Sequence, residues 1–347
     1  MPGPDKEMKK VMLPVCEPIF STYNYQITQC VVANENPELY TWFINQCVGL
    51  QCTNMFLQDL NTPKINIEGL HNIHAMPHLD RIPISLCFSV KYIDQIVKNI
   101  LDAGYYAAFR NVDDYYMKGK TFYKTMHYYH DGLIYGYDDS KRVYNIIAYD
   151  KDFKCGMFET PYTCLKKGAE PKSGDWKFCQ LIAMKARRNK INLNIKVIKS
   201  KLQQYLNSNM ELYRPKSKDL NVYGTAVHDY IALYLDMLYG GEIPYENRDR
   251  RILRVIWEHK KLMTKRIRII EEKLKMDDEI SKRYAEIESE ADKLRLMYLK
   301  YNLKMEQGLL PIIIKRSKEM KKSEEEILRT LILRIERRGD LTCYGVL

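Results

Sequence analysis

The stretch HDGLIYGYDDSKRVYNIIAYD, residues 130–150, decides how the first half of the chain is read. Two apolar runs flank a polar turn, the pattern of two strands joined as a β-hairpin. His130 begins the first strand and Asp150 closes the second. Antiparallel strands rising about 3.3 Å per residue bring these two ends together. One register sets Asp150 across from His130; the register one residue away sets Tyr149 there. A histidine oriented by a carboxylate is the base half of a nucleophilic site. A polar residue at each tip is also what an idle, exposed strand end looks like, and the hairpin by itself favours that plainer account. His127, earlier in HYYH, is a rival base expected on the opposite sheet face.

Outward from the hairpin, Asn36 before Pro37 marks a helix start, with Leu39, Trp42, Phe43 and Cys47 following at helical spacing. In SVKYIDQIVKNILDAGYY, Ile93, Ile96, Val97, Ile100 and Leu101 share one helical face and Gly104 ends it. AAFRNVDDYY reads as a strand running into a polar loop, and GDWKFCQLIAMKA as one more strand. Near residue 185 the composition shifts to Lys/Arg/Glu-rich helical periodicity. Helices are expected in NIKVIKSKLQQYLNS, in TAVHDYIALYLDMLY up to Gly240–Gly241, from about Arg248 to Lys275, and from about Asp278 to Leu303. A last helix is predicted to start at Ser323, where Ser323 and Glu326 form a capping box. The expected fold class is α+β, an antiparallel sheet packed on helices with a C-terminal helical bundle. The expected domains are 1–185, catalytic, and 186–347, helical.

The 347-residue chain is 46% hydrophobic and carries a net charge of +11. That hydrophobic share supports a sizeable core, and no apolar run reaches the roughly 18 residues a membrane span needs. The N-terminus shows no apolar signal core, so a cytoplasmic location is expected, with no membrane partner. Nine cysteines, an odd number with no CxxC, argue against a disulfide framework or a zinc ribbon. The positive charge suits an acidic partner. No RNP-like motif, zinc finger or basic zipper points to nucleic acid, and none is expected as a partner.

A thiol nucleophile needs a base, an orienter and oxyanion donors. Cys30 follows a polar loop and precedes a short apolar run, the setting of a thiol near a helix N-terminus. Asn24, six residues earlier, is the candidate oxyanion donor. Cys30 as a buried core thiol is the competing account, and Cys47, Cys52 and Cys87 fit that account better still. His71, His74 and His78 lie close together, but Pro77 interrupts them and no metal site is expected. There is no Walker loop, GxGxxG, HExxH or GxSxG. The pairs Asp113–Asp114 and Asp138–Asp139 read as turn residues rather than acid–base partners.

The order Cys30, His130, Asp150, with the last two on a hairpin, resembles the papain-like superfamily. There a Gln often stands six residues before the cysteine; here Asn24 holds that place, and Pro37 follows where the helix would continue. HDGLIYGYDD followed by VYNIIAYD, and DRRILRVIWEHKKLMTKRI downstream, resemble the butirosin biosynthesis protein H family, papain-like proteins of antibiotic gene clusters. The resemblance implies a papain-like fold and acyl transfer. An acyl group would leave the phosphopantetheine thioester of an acidic acyl or peptidyl carrier protein, pass through Cys30, and reach an amine. Within the group the chain looks most like members that acylate a diamine. His130 would take the Cys30 proton, Asp150 would orient the imidazole, and Asn24 with the Cys30 N–H would hold the oxyanion. No cofactor beyond the carrier's phosphopantetheine is implied. A papain-like peptidase with a helical accessory domain, or a non-catalytic scaffold for an acidic partner, are the alternatives.

Overall fold

A computed structural model describes residues 8–72, 74–86, 90–170, 179–208 and 221–343. In chain order its first elements are β1 (Lys10–Met12), α1 (Asn24–Ala33), α2 (Glu38–Gln46), β2 (Leu50–Thr53), α3 (Phe56–Asp59), β3 (Ile65–Ile67) and β4 (Leu79–Ser85). Next come α4 (Ile93–Asp102), β5 (Tyr106–Asp113), β6 (Tyr129–Asp138), β7 (Val143–Tyr149), β8 (Cys155–Pro161), α5 (Tyr162–Ala169) and β9 (Gln180–Ala186). The remainder is α6 (Ile195–Leu206), β10 (Asn221–Tyr223), α7 (Ala226–Tyr239), α8 (Ile252–Lys273), α9 (Glu279–Lys304) and α10 (Leu309–Cys343). The fold class is α+β. Cys87 lies outside the described residues, as does the first part of GDWKFCQLIAMKA.

The chain forms two compact units, Met1–Tyr40 with Asn72–Ile191, and Thr41–His71 with Asn192–Leu347. A single division near residue 185 does not separate them, because residues 41–71 belong with the helices. The reason is a hydrogen-bonded ladder: β2 pairs antiparallel with both β3 and β10. The buried Arg266 guanidinium adds a second tie, donating to the carbonyls of Phe43, Ile44 and Cys47 near the end of α2. Those carbonyls are among the groups a helix end leaves unsatisfied, and a cation there also opposes the helix dipole.

In the first unit, six strands run in the order β4-β9-β5-β6-β7-β8, and β1 joins β6 as the seventh. Their pairings are antiparallel. The predicted hairpin is β6 and β7, with Leu133 opposite Ile147 and Ile134 opposite Ile146. One sheet face carries Ile134, Ile146, Ala148, Ala107 and Phe109, covered by Ile93, Val97, Ile100 and Leu101 of α4 and by Tyr162 and Leu165 of α5. The α4 face is thus the one its periodicity predicts, and Gly104 closes the helix at φ +72°.

Gly132 lies on β6 beneath the buried Phe109 ring. A Cβ built there would sit 2.4 Å from Phe109 Cζ. The ring is fully buried and cannot swing into solvent. Gly132→Ala is therefore expected to destabilise the first unit by about 1–3 kcal/mol through overpacking. A urea midpoint unchanged from wild type would refute the contact.

The second unit is mainly helical. α6 starts at Asn194, whose side chain accepts from Val197 N. α7 stops at Gly240–Gly241, and Gly241 adopts φ +77°. α8 and α9 fall close to their predicted ranges. The last helix is a correction: α10 begins at Leu309, and Ser323 lies in its interior. Pro311 does not break it, because the first turn of a helix has no N–H bonds for proline to remove. Among the described residues no helix is long and apolar enough to cross a membrane.

Candidate catalytic site

His130 is the second residue of β6, and its environment comes from three segments. β5 lies beside it, with Val112 paired to His130 and Asp113 to Tyr129. β5 bulges between Phe109 and Val112, which lets the chain turn directly into the 3-10 turn Asp114–Tyr116. That turn delivers Asp114 to the imidazole: His130 Nδ1 lies 2.5 Å from Asp114 Oδ2. Facing an ionised carboxylate, which only accepts, Nδ1 would carry the proton and donate, and a neutral imidazole would keep its lone pair on Nε2. Asp114 is 1% exposed at its side chain and His130 28%. The imidazole is therefore reachable from solvent and the carboxylate behind it is not.

The surroundings are aromatic and charged. Tyr128 packs 4.4 Å from the His130 ring, and Phe122 stacks on it at 5.9 Å. The Lys120 ammonium is fully buried 3.5 Å from the other Asp114 oxygen, Oδ1. Burial pushes the Lys120 amine down, and the Asp114 carboxylate pulls it back up. Burial pushes the Asp131 carboxyl up, opposed by Arg110, whose guanidinium lies 3.8 Å away.

Asp150 lies elsewhere in this arrangement. Continuing the β6–β7 register by three residues sets it opposite His130 along the backbone. Its carboxylate, however, accepts from the backbone N–H groups of Asp152 and Lys154. Asp150 is an Asx-type turn residue that closes the β7–β8 connection, and the hydrogen bond to His130 is made by Asp114 instead.

His127 carries a second pair of the same kind: Nδ1 lies 2.8 Å from Asp113 Oδ2, against Tyr115 at 4.2 Å. The His127 side chain is 51% exposed. Of the tyrosines near the hairpin, Tyr128 lines His130, whereas Tyr115 and Tyr116 line His127.

α1 opens at Asn24, not near Cys30. Asn24 Oδ1 accepts from Tyr149 N at 3.4 Å, so its Nδ2 is the donor end left to it. The Tyr149 hydroxyl donates to the carbonyls of Ser21 and Thr22 just before the helix. The start of α1 is thereby fastened to the end of β7, one residue before Asp150. Cys30 is the seventh residue of α1 and 0% exposed. At 1.5 Å per residue it lies roughly 9 Å along the helix from Asn24. The field of a helix terminus fades within its first turn, so the dipole does not activate this thiol. Cys47 and Cys52 are likewise 0% exposed, and burial pushes the Cys52 thiol up to about 12.

Sequence reasoning missed Asp114 and Lys120. Two histidines three apart in HYYH and two adjacent aspartates in NVDDYY were the available signal. They become partners only because β5 pairs with β6. Among the described residues, no three His, Cys, Asp or Glu side chains converge as metal ligands. No protein-family model matches the chain, and no curated protein matches it.

Proposed function

We propose that the first unit is a papain-like acyltransferase site that forms amides by general-base catalysis. The observation that carries this reading is the His130–Asp114 pair, a buried carboxylate behind a solvent-reachable imidazole at a strand end. The resemblance of HDGLIYGYDD to the butirosin biosynthesis protein H family supplies the substrates: a carrier-protein thioester as donor and an amine or diamine as acceptor.

His130 Nε2 takes a proton from the amine as its nitrogen attacks the thioester carbon. The C–N bond forms, and the oxyanion is held by Asn24 Nδ2 and the backbone N–H groups that open α1. The C–S bond then breaks, and the phosphopantetheine sulfur leaves with the proton returned from His130. Electrons and protons balance without a cofactor. The rings of Phe122 and the half-exposed Tyr128 flank the imidazole and offer an acyl chain an apolar surface. A net charge of +11 suits an acidic carrier.

This route needs no acyl-enzyme. Full burial of Cys30 and its place in the second turn of α1 favour direct transfer over a thiol intermediate. The expected result is amide formation from an acylated carrier and a diamine by Cys30→Ala within a few-fold of wild type. Intact-mass spectra should show no acyl adduct. An adduct on the wild-type chain that disappears in Cys30→Ala restores the covalent route. Failure to form amide from any carrier thioester, with the fold intact, leaves the scaffold reading.

A further inference from the structure

Two His–Asp pairs stand side by side in the first unit, and they are built differently. Behind Asp114, opposite His130, lies Lys120. Its side chain is fully buried, with Nζ 3.5 Å from Asp114 Oδ1 and 3.4 Å from the carbonyl of Asp131. A buried lysine is expensive to ionise and a buried aspartate equally so. Placed together, each makes the other's charge tolerable. The two Asp114 oxygens are thus divided: Oδ2 faces the imidazole and Oδ1 faces the ammonium.

We propose that Lys120 is a positioning residue of the His130–Asp114 pair, its ammonium engaging Oδ1 and so fixing the carboxylate with Oδ2 toward the imidazole, so that His130 holds its proton on Nδ1 and presents Nε2. The inference deepens the acyltransfer reading, and it is tested by titration without reference to turnover. The charged groups facing His130 are Asp114 and Lys120 from the segment after β5, Arg110 on β5 itself, and Asp131 on β6. Asp150 stands just past the end of β7 with its carboxylate turned into its own turn. Lys120 contributes a positive charge that opposes protonation of His130. Removing it leaves Asp114 to stabilise the imidazolium alone.

The experiment is NMR titration of the histidine ring signals in the full chain, with His127 as the internal reference. In Lys120→Met the His130 midpoint is expected to rise by about one pH unit, as loss of a nearby like charge does. Lys120→Arg keeps the charge and should leave it near wild type. His127 should move in neither variant. A His130 midpoint within 0.2 unit of wild type in a folded Lys120→Met, on the order of measurement error against the shift expected, overturns the proposal. Ring nitrogen shifts of the wild-type chain supply a second measurement should Lys120→Met not fold. They should show His130 protonated on Nδ1 at neutral pH, and the side-chain carboxyl carbon shift of Asp114 should be that of a carboxylate. The Nε2–H tautomer, or an Asp114 that titrates near neutrality, overturns the proposal equally. An amide-forming enzyme with an unmoved His130 midpoint loses the Lys120 role alone. A moved midpoint in a chain that makes no amide loses only the acyltransfer.

Discussion

Glu324→Gln is expected to destabilise the helical unit by about 3–5 kcal/mol, the cost of leaving a buried charge without its partner. Glu324 on α10 is fully buried and accepts from Lys260 Nζ of α8 at 2.7 and 2.8 Å. Tyr205 of α6 donates to it at 3.2 Å, and Tyr284 of α9 donates to its other oxygen. Lys260 also donates to Tyr205 at 2.9 Å and contacts His228 Nε2 of α7 at 3.0 Å. One carboxylate thus joins side chains from all five long helices of the second unit. With glutamine in its place the Lys260 ammonium keeps its burial and loses its counter-charge. A loss of this size should lower the melting temperature by roughly 10 °C for a unit of this size. Fluorescence follows it well, since Trp42 and Trp257 both belong to this unit. The double variant Lys260→Met/Glu324→Leu should recover most of the loss, because an apolar pair of similar volume avoids both desolvation costs. If Glu324→Gln melts within 1 °C of wild type, a shift corresponding to roughly 0.5 kcal/mol or less, the pair is not holding the helices together.

The same cluster makes stability depend on acid. Burial, reinforced by Lys260, holds His228 and His259 below the ordinary histidine value. Burial alone would push the Glu324 carboxyl up, but Lys260 and His228 outweigh it and hold the carboxyl far below its usual range. All three folded-state values are depressed. Each group therefore contributes stability that is complete above its unfolded value and lost as pH falls toward its folded one. The two histidines begin to cost stability below roughly pH 6.5, and Glu324 adds to the loss below roughly pH 4.3. Urea midpoints should fall steadily from pH 7.5 to 4. A midpoint that rises on acidification through pH 6 contradicts the burial of these groups.

His130→Ala is expected to lower amide formation by about 10²–10⁴-fold, the usual range for removing a general base. The fold should survive, because the imidazole is partly exposed, beside Tyr128, Phe122 and Asp114. Asp114→Asn should give a comparable loss, since an amide can turn its NH₂ toward Nδ1 and favour the wrong tautomer. Asp150→Asn should cost little turnover and some stability, as its carboxylate closes a turn. Rates measured on an acyl-pantetheine thioester with excess diamine separate these outcomes. If Asp150→Asn falls as far as His130→Ala while Asp114→Asn keeps its rate, the base is oriented by Asp150 and the pairing with Asp114 is incidental.

Local chemistry made much of the fold legible. The 130–150 hairpin follows from alternating runs around a turn, and α4 from five apolar residues on one face with a glycine at its end. Asn36 caps α2 as its sequence suggests, accepting from Glu38 N. The start of α10 was not legible, because a capping-box pattern is also ordinary helix interior and Pro311 resembles a break. Nor was the place of residues 41–71, since strand partners far apart in sequence leave no periodicity to read.

By itself, the sequence determined the α+β class, the hairpin and its leading histidine, and the helical periodicity of the second half. Tertiary structure decided which carboxylate serves that histidine. Asp150 is near His130 along the β6–β7 register, but its carboxylate is turned into its own turn, where Oδ1 accepts from two backbone N–H groups and Oδ2 lies over Gly156. Asp114 is sixteen residues away in the chain and reaches Nδ1 because β5 lies beside β6 and bulges just before its end. A hydrogen bond depends on where side-chain lone pairs point and what already occupies them, and no sequence spacing encodes that.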